Sequence, residues 1–131
     1  MSGPAEFARQ PHQHAKGGVA EEAAAAHLER CGYRVLARNV RTRVGEIDLV
    51  AAEGDTLCFV EVKARATDRY GPAIAAIGRA KQRRLARAAA LYLVAHPWRG
   101  PCRFDALGLD ATPAGWVYTL VRDAFAVPST S

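Results

Sequence analysis

The chain has 131 residues, of which 50% are hydrophobic and 24% are charged, a balance typical of one ordinary globular domain and not of a disordered chain. No apolar run approaches the ~20 residues that a membrane-spanning helix needs, and the N-terminal residues lack the apolar stretch of a signal peptide. We therefore expect a cytoplasmic protein without a membrane partner. The net charge of +5 favours a polyanionic partner, although a solvated basic surface explains it equally well.

The first predicted element is a helix that follows a polar N-terminal arm. Residues 1–16 have no sustained apolar periodicity, which predicts a flexible arm. From Val19 onward one apolar stripe recurs at helical spacing, and Gly32 ends the helix. The stripe consists of Ala20, Ala24, Leu28 and Cys31. Glu21 lies on the shoulder of this stripe, in position to turn inward, but the helix dipole equally explains an acid in a first helical turn.

Three strand-like segments follow, each rich in Val, Ile, Leu, Phe or Tyr. They are Tyr33–Val40, Glu46–Ala52 and Leu57–Arg65. A second helix is predicted over Arg79–Ala95, and two further strands near Cys102–Leu109 and Trp116–Val121. This order predicts a single α/β or α+β domain over residues 17–127, with a mixed sheet flanked by helices and a frayed tail over residues 128–131, and we take α/β as the fold class.

The turn between the second and third predicted strands fixes how their side chains face each other. Gly54-Asp55 suits a two-residue hairpin turn with glycine at its first central position. The register that follows places Asp48 opposite Glu61 and Glu46 opposite Lys63, and strand alternation sends these four side chains to one face. We expect the other face to be the buried one. It carries Ile47, Leu49, Val60 and Val62.

Two opposed carboxylates on one sheet face need a neutralising cation. Held about 4 Å apart at an effective dielectric near 20, they repel by on the order of 4 kcal/mol. Mg²⁺ or Mn²⁺ relieves this repulsion, because both ions take carboxylate oxygens as ligands. Lys63 follows Glu61 by two residues, in reach of a phosphate oxygen or an attacking water, so the arrangement suits phosphodiester cleavage. An ordinary lattice of cross-strand salt bridges is the alternative interpretation.

The second predicted helix divides its basic residues between two faces. Lys81 falls within the apolar stripe, which directs it towards the site. Arg79, Arg83 and Arg87 form a row on the opposite face, where their mutual repulsion would be relieved by a nucleic-acid backbone. A solvated face is the commoner explanation for such a row.

Several of these segments together resemble the YraN-like bacterial family. They are Glu21 on the first helix, the strand Gly-Glu-Ile-Asp-Leu-Val at 45–50, the strand Phe-Val-Glu-Val-Lys-Ala-Arg at 59–65, Lys-Gln-Arg-Arg at 81–84 and Cys-Arg-Phe-Asp at 102–105. That family is related to the PD-(D/E)XK nucleases and is nearest in layout to archaeal-type Holliday-junction resolvases. The resemblance extends from about residue 17 to residue 125 and implies a restriction-endonuclease-like fold in the order α-β-β-β-α-β-β.

The resemblance also implies a role for each matching residue. Glu21 would be the helix-borne acid, Asp48 and Glu61 the metal ligands beside it, and Lys63 the catalytic lysine, with Glu46 in a supporting position. Ala20 stands where the family usually has glycine, which changes the local backbone and not the carboxylate. Phosphate contacts fall to the basic residues Arg41, Arg43, Arg79, Lys81, Arg83 and Arg87.

These observations predict a Mg²⁺- or Mn²⁺-dependent endonuclease acting on DNA, including branched or otherwise structured DNA in recombination, repair or uptake. The alternative is a non-catalytic nucleic-acid-binding or adaptor protein that retains the nuclease fold, because a fold alone does not define an activity. A third interpretation is a protein-interaction domain without affinity for nucleic acid. A homodimer is expected for symmetric cutting of a junction, since one domain has one site.

Overall fold

The computed structural model describes residues 11–66 and 71–126, with side chains from residue 18 onward. Within these residues the two α-helices are α1 (Pro11–Arg30) and α2 (Arg79–Ala95). The strands are β1 (Arg34–Thr42), β2 (Gly45–Glu53), β3 (Thr56–Arg65), β4 (Cys102–Thr112) and β5 (Gly115–Phe125), and a 3-10 helix, Ala73–Ala76, precedes α2. The predicted order of elements is confirmed.

The first helix is longer than its apolar stripe indicates. It begins at Pro11, ahead of the predicted start at Val19, so the last residues of the predicted arm are helical. Residues 1–10 of that arm and the predicted tail over residues 128–131 lie outside the described residues, and their flexibility stays a prediction. No helix in the described ranges combines the length and the apolar character needed to cross a bilayer.

The end of α1 is set by Gly32, as predicted. This glycine has a φ of +97°, a left-handed conformation that costs glycine little because it has no Cβ. The Gly32 N–H donates to the Glu29 carbonyl at 3.1 Å, and the Tyr33 N–H donates to the Leu28 carbonyl at 3.0 Å. This pair of bonds is a Schellman motif, which turns the chain from α1 into β1.

The five strands form one mixed sheet in the order β1-β2-β3-β4-β5. β3 and β4 are parallel, and the other three neighbouring pairs are antiparallel. The parallel pair is connected through α2, as a parallel pairing requires a long crossover. The predicted α/β fold, a mixed sheet flanked by helices as in restriction-endonuclease-like proteins, is thereby confirmed.

The helices cover opposite faces of the sheet, each with its own apolar cluster. The α1 cluster joins helix residues to strand residues and includes Ala24, Leu28, Leu49, Val60 and Leu107. The α2 cluster lies on the other face and includes Leu85, Ala88, Ile47, Val50, Phe59 and Phe104. The prediction of a single buried face is therefore wrong, because the central strands are covered from both sides, as is typical where a helical crossover packs on the sheet.

The predicted hairpin register is confirmed over five pairs, from Glu53↔Thr56 to Leu49↔Val60. The expectation that Ile47 and Leu49 share a face is wrong, since Leu49 packs in the α1 cluster and Ile47 in the α2 cluster. The alternation breaks at Asp48. Its neighbour on β1, Asn39, has a φ of +49°, and a left-handed residue within a strand rotates the pleat beyond it.

Candidate functional site

The candidate site lies where β2 and β3 stop pairing. The described register ends at Leu49↔Val60, and the next N–H available on β3, that of Val62, donates to Asp48 Oδ2 at 2.8 Å. A carboxylate thus takes the place of a strand carbonyl as acceptor. The predicted backbone pairing of Asp48 with Glu61 does not occur in the described register, yet the two side chains reach the same cleft.

Glu61 is the most deeply placed acid of this site. It is 3% exposed and shares the β3 face that carries Phe59, so it is directed towards α2. Lys81 reaches it from α2, with Nζ 2.9 Å from Glu61 Oε2. The prediction that Lys81 is directed inward from the apolar stripe of α2 is confirmed.

The cleft has a volume of about 300 Å³. Its lining residues are Gly45, Glu46, Asp48, Glu61, Lys81, Arg84 and Leu85. Gly45 brings the start of β2 against α2, since a Cβ at this position would lie 3.2 Å from the Arg84 carbonyl oxygen. The absence of a side chain at Gly45 therefore lets the helix and the β1–β2 turn form the two walls of the cleft.

The acids of the cleft hold protons more tightly than ordinary carboxyl groups. Desolvation, followed by the charge of Glu61 and that of Glu21, raises the pKa of Asp48 to about 8, against the opposing effects of the Val62 N–H and Lys81. Desolvation also raises the pKa of Glu61, although Lys81, Lys63 and Arg84 act in the opposite direction. Both carboxyl groups therefore favour a bound proton or a bound cation.

The lysine of the cleft responds to the same charges. Desolvation alone would lower the pKa of Lys81, but the charge and hydrogen bond of Glu61, assisted by the charge of Asp48, raise it overall. Lys81 therefore stays an ammonium group beside the two acids.

The remaining predicted residues of the site lie around this centre. Lys63 is half-buried on the same strand as Glu61, close enough for its charge to act on the pKa of Glu61. Glu21 is half-buried on α1, and its charge acts on Asp48. Glu46 is exposed and forms an ion pair with Arg41 of β1, 3.5 Å from Nε to Oε2. The predicted pairing of Glu46 with Lys63 lies beyond the end of the described β2–β3 register.

The donor set suits a hard divalent cation bound by two carboxylates. Asp48 and Glu61 offer oxygen ligands, and Mg²⁺ commonly takes one or two protein carboxylates while water and phosphate oxygens complete its shell. Among the side chains that the structure describes, no group of three or more His, Cys, Asp or Glu residues is arranged to hold a metal ion. The donor set therefore supports Asp48 and Glu61 as a pair, and a direct ligand role of Glu21 stays a prediction.

Six exposed arginines lie on β1, the β1–β2 turn and α2, and one of them, Arg84, lines the cleft. They are Arg41, Arg43, Arg79, Arg83, Arg84 and Arg87. The row Arg79, Arg83 and Arg87 lies on the solvent face of α2, as predicted from its spacing. Lys81, the other predicted phosphate contact on α2, lies inside the cleft instead and is paired with Glu61.

A second polar cluster was not assigned from the sequence. The carboxylate of Asp105 is fully buried and accepts hydrogen bonds from the Tyr33 hydroxyl at 2.7 Å, Arg103 Nε at 2.8 Å and the Asp123 N–H at 2.9 Å. Glu53 binds Arg103 and also accepts two parallel bonds from Arg122, at 2.9 and 2.7 Å. The alternation of Arg103 and Asp105 at the start of β4, ahead of the apolar stretch from Ala106 to Leu109, is the signal for this cluster in the sequence. All these groups are satisfied by one another, so the cluster is structural.

Fold and cleft together define a small α/β protein whose mixed sheet opens between two antiparallel strands to present two acids and a lysine. The model of the uncharacterised protein family UPF0102 matches residues 20–109, and the chain belongs to this family. The resemblance to YraN-like proteins is thereby confirmed. The matched range contains Glu21, Asp48, Glu61, Lys63 and Lys81.

Relatives from several bacteria match over most of their length. A UPF0102 protein of Symbiobacterium thermophilum is 50% identical over 83% of this chain and 94% of its own. One of Halorhodospira halophila is 46% identical over 95% of this chain and 97% of its own. One of Nitrosomonas europaea is 51% identical over 84% of this chain and 92% of its own. The chain is therefore similar to these proteins in extent as well as in sequence.

Proposed function

We propose that this protein is a metal-dependent endonuclease that hydrolyses phosphodiester bonds in DNA in the cytoplasm. The observation that carries the proposal is the convergence of Asp48 and Glu61 on one cleft, each with a raised pKa, in a wall lined by cationic side chains. Groups that favour a cation, next to a surface that favours an anion, match the needs of phosphoryl chemistry.

Each residue has a distinct part in this proposal. Asp48 and Glu61 would hold Mg²⁺ or Mn²⁺, and the negative charge of Glu21 would strengthen the site from α1. Such a metal would supply Lewis-acid stabilisation of the phosphate and would activate water. Lys63 donates to a phosphate oxygen as negative charge develops there, and it orients the attacking water.

The exposed arginines of β1, the β1–β2 turn and α2 suit a nucleic-acid substrate, because they can contact its phosphates. In this proposal the exposed Arg41 and Arg43 on the β1 side and Arg79, Arg83 and Arg87 on the solvent face of α2 hold phosphates without reading base sequence. Such contacts suit DNA recognised by its shape, so branched or otherwise structured DNA is the substrate that we propose. A homodimer would provide the two sites needed to cut two strands symmetrically.

One observation favours a second function, a nucleic-acid-binding adaptor without catalysis. Glu61 is already neutralised by Lys81, at 2.9 Å, and a carboxylate satisfied in this way does not require a metal. An adaptor would bind DNA through the same arginines with or without divalent ions, and it would leave every DNA structure intact.

Calorimetric titration and a cleavage assay separate the two functions. Mg²⁺ and Mn²⁺ are titrated into the protein and into Asp48→Asn, which keeps an oxygen for the Val62 N–H while removing the charge. Asp55→Asn is the matched control, because Asp55 lies exposed in the turn of the same hairpin. The same proteins are incubated with duplex, flapped, single-stranded and four-way-junction DNA.

The endonuclease predicts that metal binding and cleavage occur in the parent and in Asp55→Asn and are lost in Asp48→Asn. DNA binding that is independent of metal, with no cleavage in any protein, would support the adaptor. Cleavage that survives in Asp48→Asn would refute the proposed metal site.

A further inference from the structure

The ion pair between Lys81 and Glu61 joins a buried acid to a more exposed base. The side chain of Glu61 is 4% exposed, that of Lys81 is 41% exposed, and Nζ lies 2.9 Å from Oε2. The ammonium group therefore approaches the carboxylate from the cleft, which is also the side from which a metal ion would enter.

We propose that Lys81 occupies the cation position of the metal-free site and is displaced when a divalent metal binds, so that the metal and the Lys81–Glu61 ion pair exclude each other. This inference rests on the proposed function, because it takes Asp48 and Glu61 as the metal ligands. It gives Lys81 a positioning role that neither the comparisons nor the sequence pattern assigns.

Coulomb repulsion is the first reason for exclusion. A metal bound to Glu61 at about 2.0 to 2.1 Å, the usual Mg²⁺–oxygen distance, would lie beside an ammonium group hydrogen-bonded to the same carboxylate. A divalent cation and an ammonium group within a few ångströms repel strongly where solvent is scarce. One of the two must leave the carboxylate.

Lys81 is the group that is able to leave. Its four-carbon side chain is flexible, and its partial exposure gives the ammonium group a path out of the cleft towards solvent. Arg84 lines the same cleft, so a displaced Lys81 joins it at the mouth as a second cation. A phosphate approaching the metal would meet both, which couples metal binding to substrate binding through one side chain.

The burial of Glu61 explains why its carboxylate needs a cation, here the Lys81 ammonium group, when no metal is bound. A carboxylate removed from water without a partner is strongly destabilising, whereas a hydrogen-bonded cation offsets much of that cost. Lys81 keeps the metal-free protein folded with an ionised Glu61 in place. The site is thus held ready at the expense of metal affinity.

Lys81→Met tests the proposal, because it removes the charge and keeps much of the side-chain length. Arg99→Met is the matched control, since it removes one positive charge from an exposed position outside the cleft. Mg²⁺ and Mn²⁺ are titrated calorimetrically into both variants and the parent in the absence of DNA. We expect Lys81→Met to bind metal about tenfold more tightly or better, as loss of a neighbouring cation implies, and Arg99→Met to match the parent.

Thermal unfolding provides a second readout that does not depend on cleavage. We expect metal-free Lys81→Met to unfold at a lower temperature than the metal-free parent. Saturating Mg²⁺ should raise the unfolding temperature of Lys81→Met by more than that of the parent, because a more tightly bound ligand stabilises the folded state more. If Lys81→Met does not fold, Lys81→Gln is used in its place.

The outcomes distinguish failure of this inference from failure of the proposed function. Metal binding by the parent that requires Asp48, with unchanged or weaker affinity in the folded Lys81 variant, overturns this inference and leaves the proposed function standing. Absence of metal binding in the parent and in the folded Lys81 variant overturns both proposals. Metal binding that appears only when Lys81 is replaced supports the exclusion and counts against a resident metal in the parent.

Discussion

The carboxylate of Asp48 accepts a hydrogen bond from the backbone N–H of Val62 at 2.8 Å. This bond lies immediately beyond Leu49↔Val60, the last described pair of β2 and β3. The bond ties the two strands together at the position where they separate. It also fixes one oxygen of Asp48 and leaves the other for the cleft. A residue that ends a strand pairing therefore also forms one wall of the site.

The raised pKa of Asp48 makes the stability of the metal-free protein depend on pH. This pKa is about 8 in the folded chain against an ordinary value of 3.8, so between these values the folded state binds a proton that the unfolded state has released. The unfolding free energy must then decrease as pH rises through this window. Between pH 5 and pH 8 we expect the parent to lose on the order of 4 kcal/mol more unfolding free energy than Asp48→Asn, measured by urea unfolding in a chelating buffer.

Two comparisons isolate the contribution of Asp48. Desolvation and the charge of Arg30 lower the pKa of His27, which makes the unfolding free energy rise with pH near neutrality. Because His27 is present in both the parent and Asp48→Asn, its contribution cancels when the two are compared. Asp55→Asn should follow the parent. Identical pH dependence in the parent and Asp48→Asn would show that Asp48 is not desolvated in the folded protein.

Glu53 should make the unfolding free energy respond to pH in the opposite direction, in the acid range. Hydrogen bonds from Arg122 and then from Arg103 lower its pKa to about 2 from an ordinary 4.5, so the stabilisation is present above pH 4.5 and is lost as pH falls towards 2. We expect Glu53→Gln to destabilise the protein by roughly 1 to 3 kcal/mol at pH 7 and to reduce its acid sensitivity.

Glu22→Gln is the control for Glu53. Glu22 pairs with Arg38 at 3.2 Å, but both side chains are largely exposed, and such surface pairs contribute little. Its substitution should change the unfolding free energy by less than about 0.5 kcal/mol. Equal effects of the two substitutions would mean that the Glu53 bonds are no stronger than surface ion pairs.

The sequence predicted most where the determinants are local. The Gly54-Asp55 turn determined the hairpin register, because a tight turn leaves few ways to pair the strands that it joins. The break in alternation at Asp48 was not predictable from the sequence pattern, since it coincides with a left-handed backbone at Asn39 on the neighbouring strand. The Lys81–Glu61 pair and the partners of Asp105 depend on how separate elements pack, which no spacing along one element specifies.

The hydroxyl of Tyr33 is predicted to matter for stability because its acceptor is buried. It donates to Asp105 at 2.7 Å and accepts from Arg103 at 3.3 Å, and Tyr33→Phe removes both bonds while keeping the ring. We expect a loss of roughly 1 to 2 kcal/mol in unfolding free energy. Asp105→Ala should cost more, about 3 to 5 kcal/mol, since it leaves the guanidinium of Arg103 without its main partner. A Tyr33→Phe variant as stable as the parent would indicate that water replaces the hydroxyl.

The arginine row of α2 should control the salt dependence of DNA binding and not the metal site. Arg83 is exposed on the face of α2 that points away from the sheet, so Arg83→Ala should fold normally and bind Mg²⁺ like the parent. If Arg83 neutralises one phosphate, the slope of log affinity against log salt becomes shallower by about 1. Fluorescence anisotropy with labelled junction DNA over a series of salt concentrations measures this slope, with Arg99→Ala as the control. Equal slopes for Arg83→Ala and the parent would exclude this face of α2 from the DNA interface. The phosphate contacts would then fall to Arg41 and Arg43.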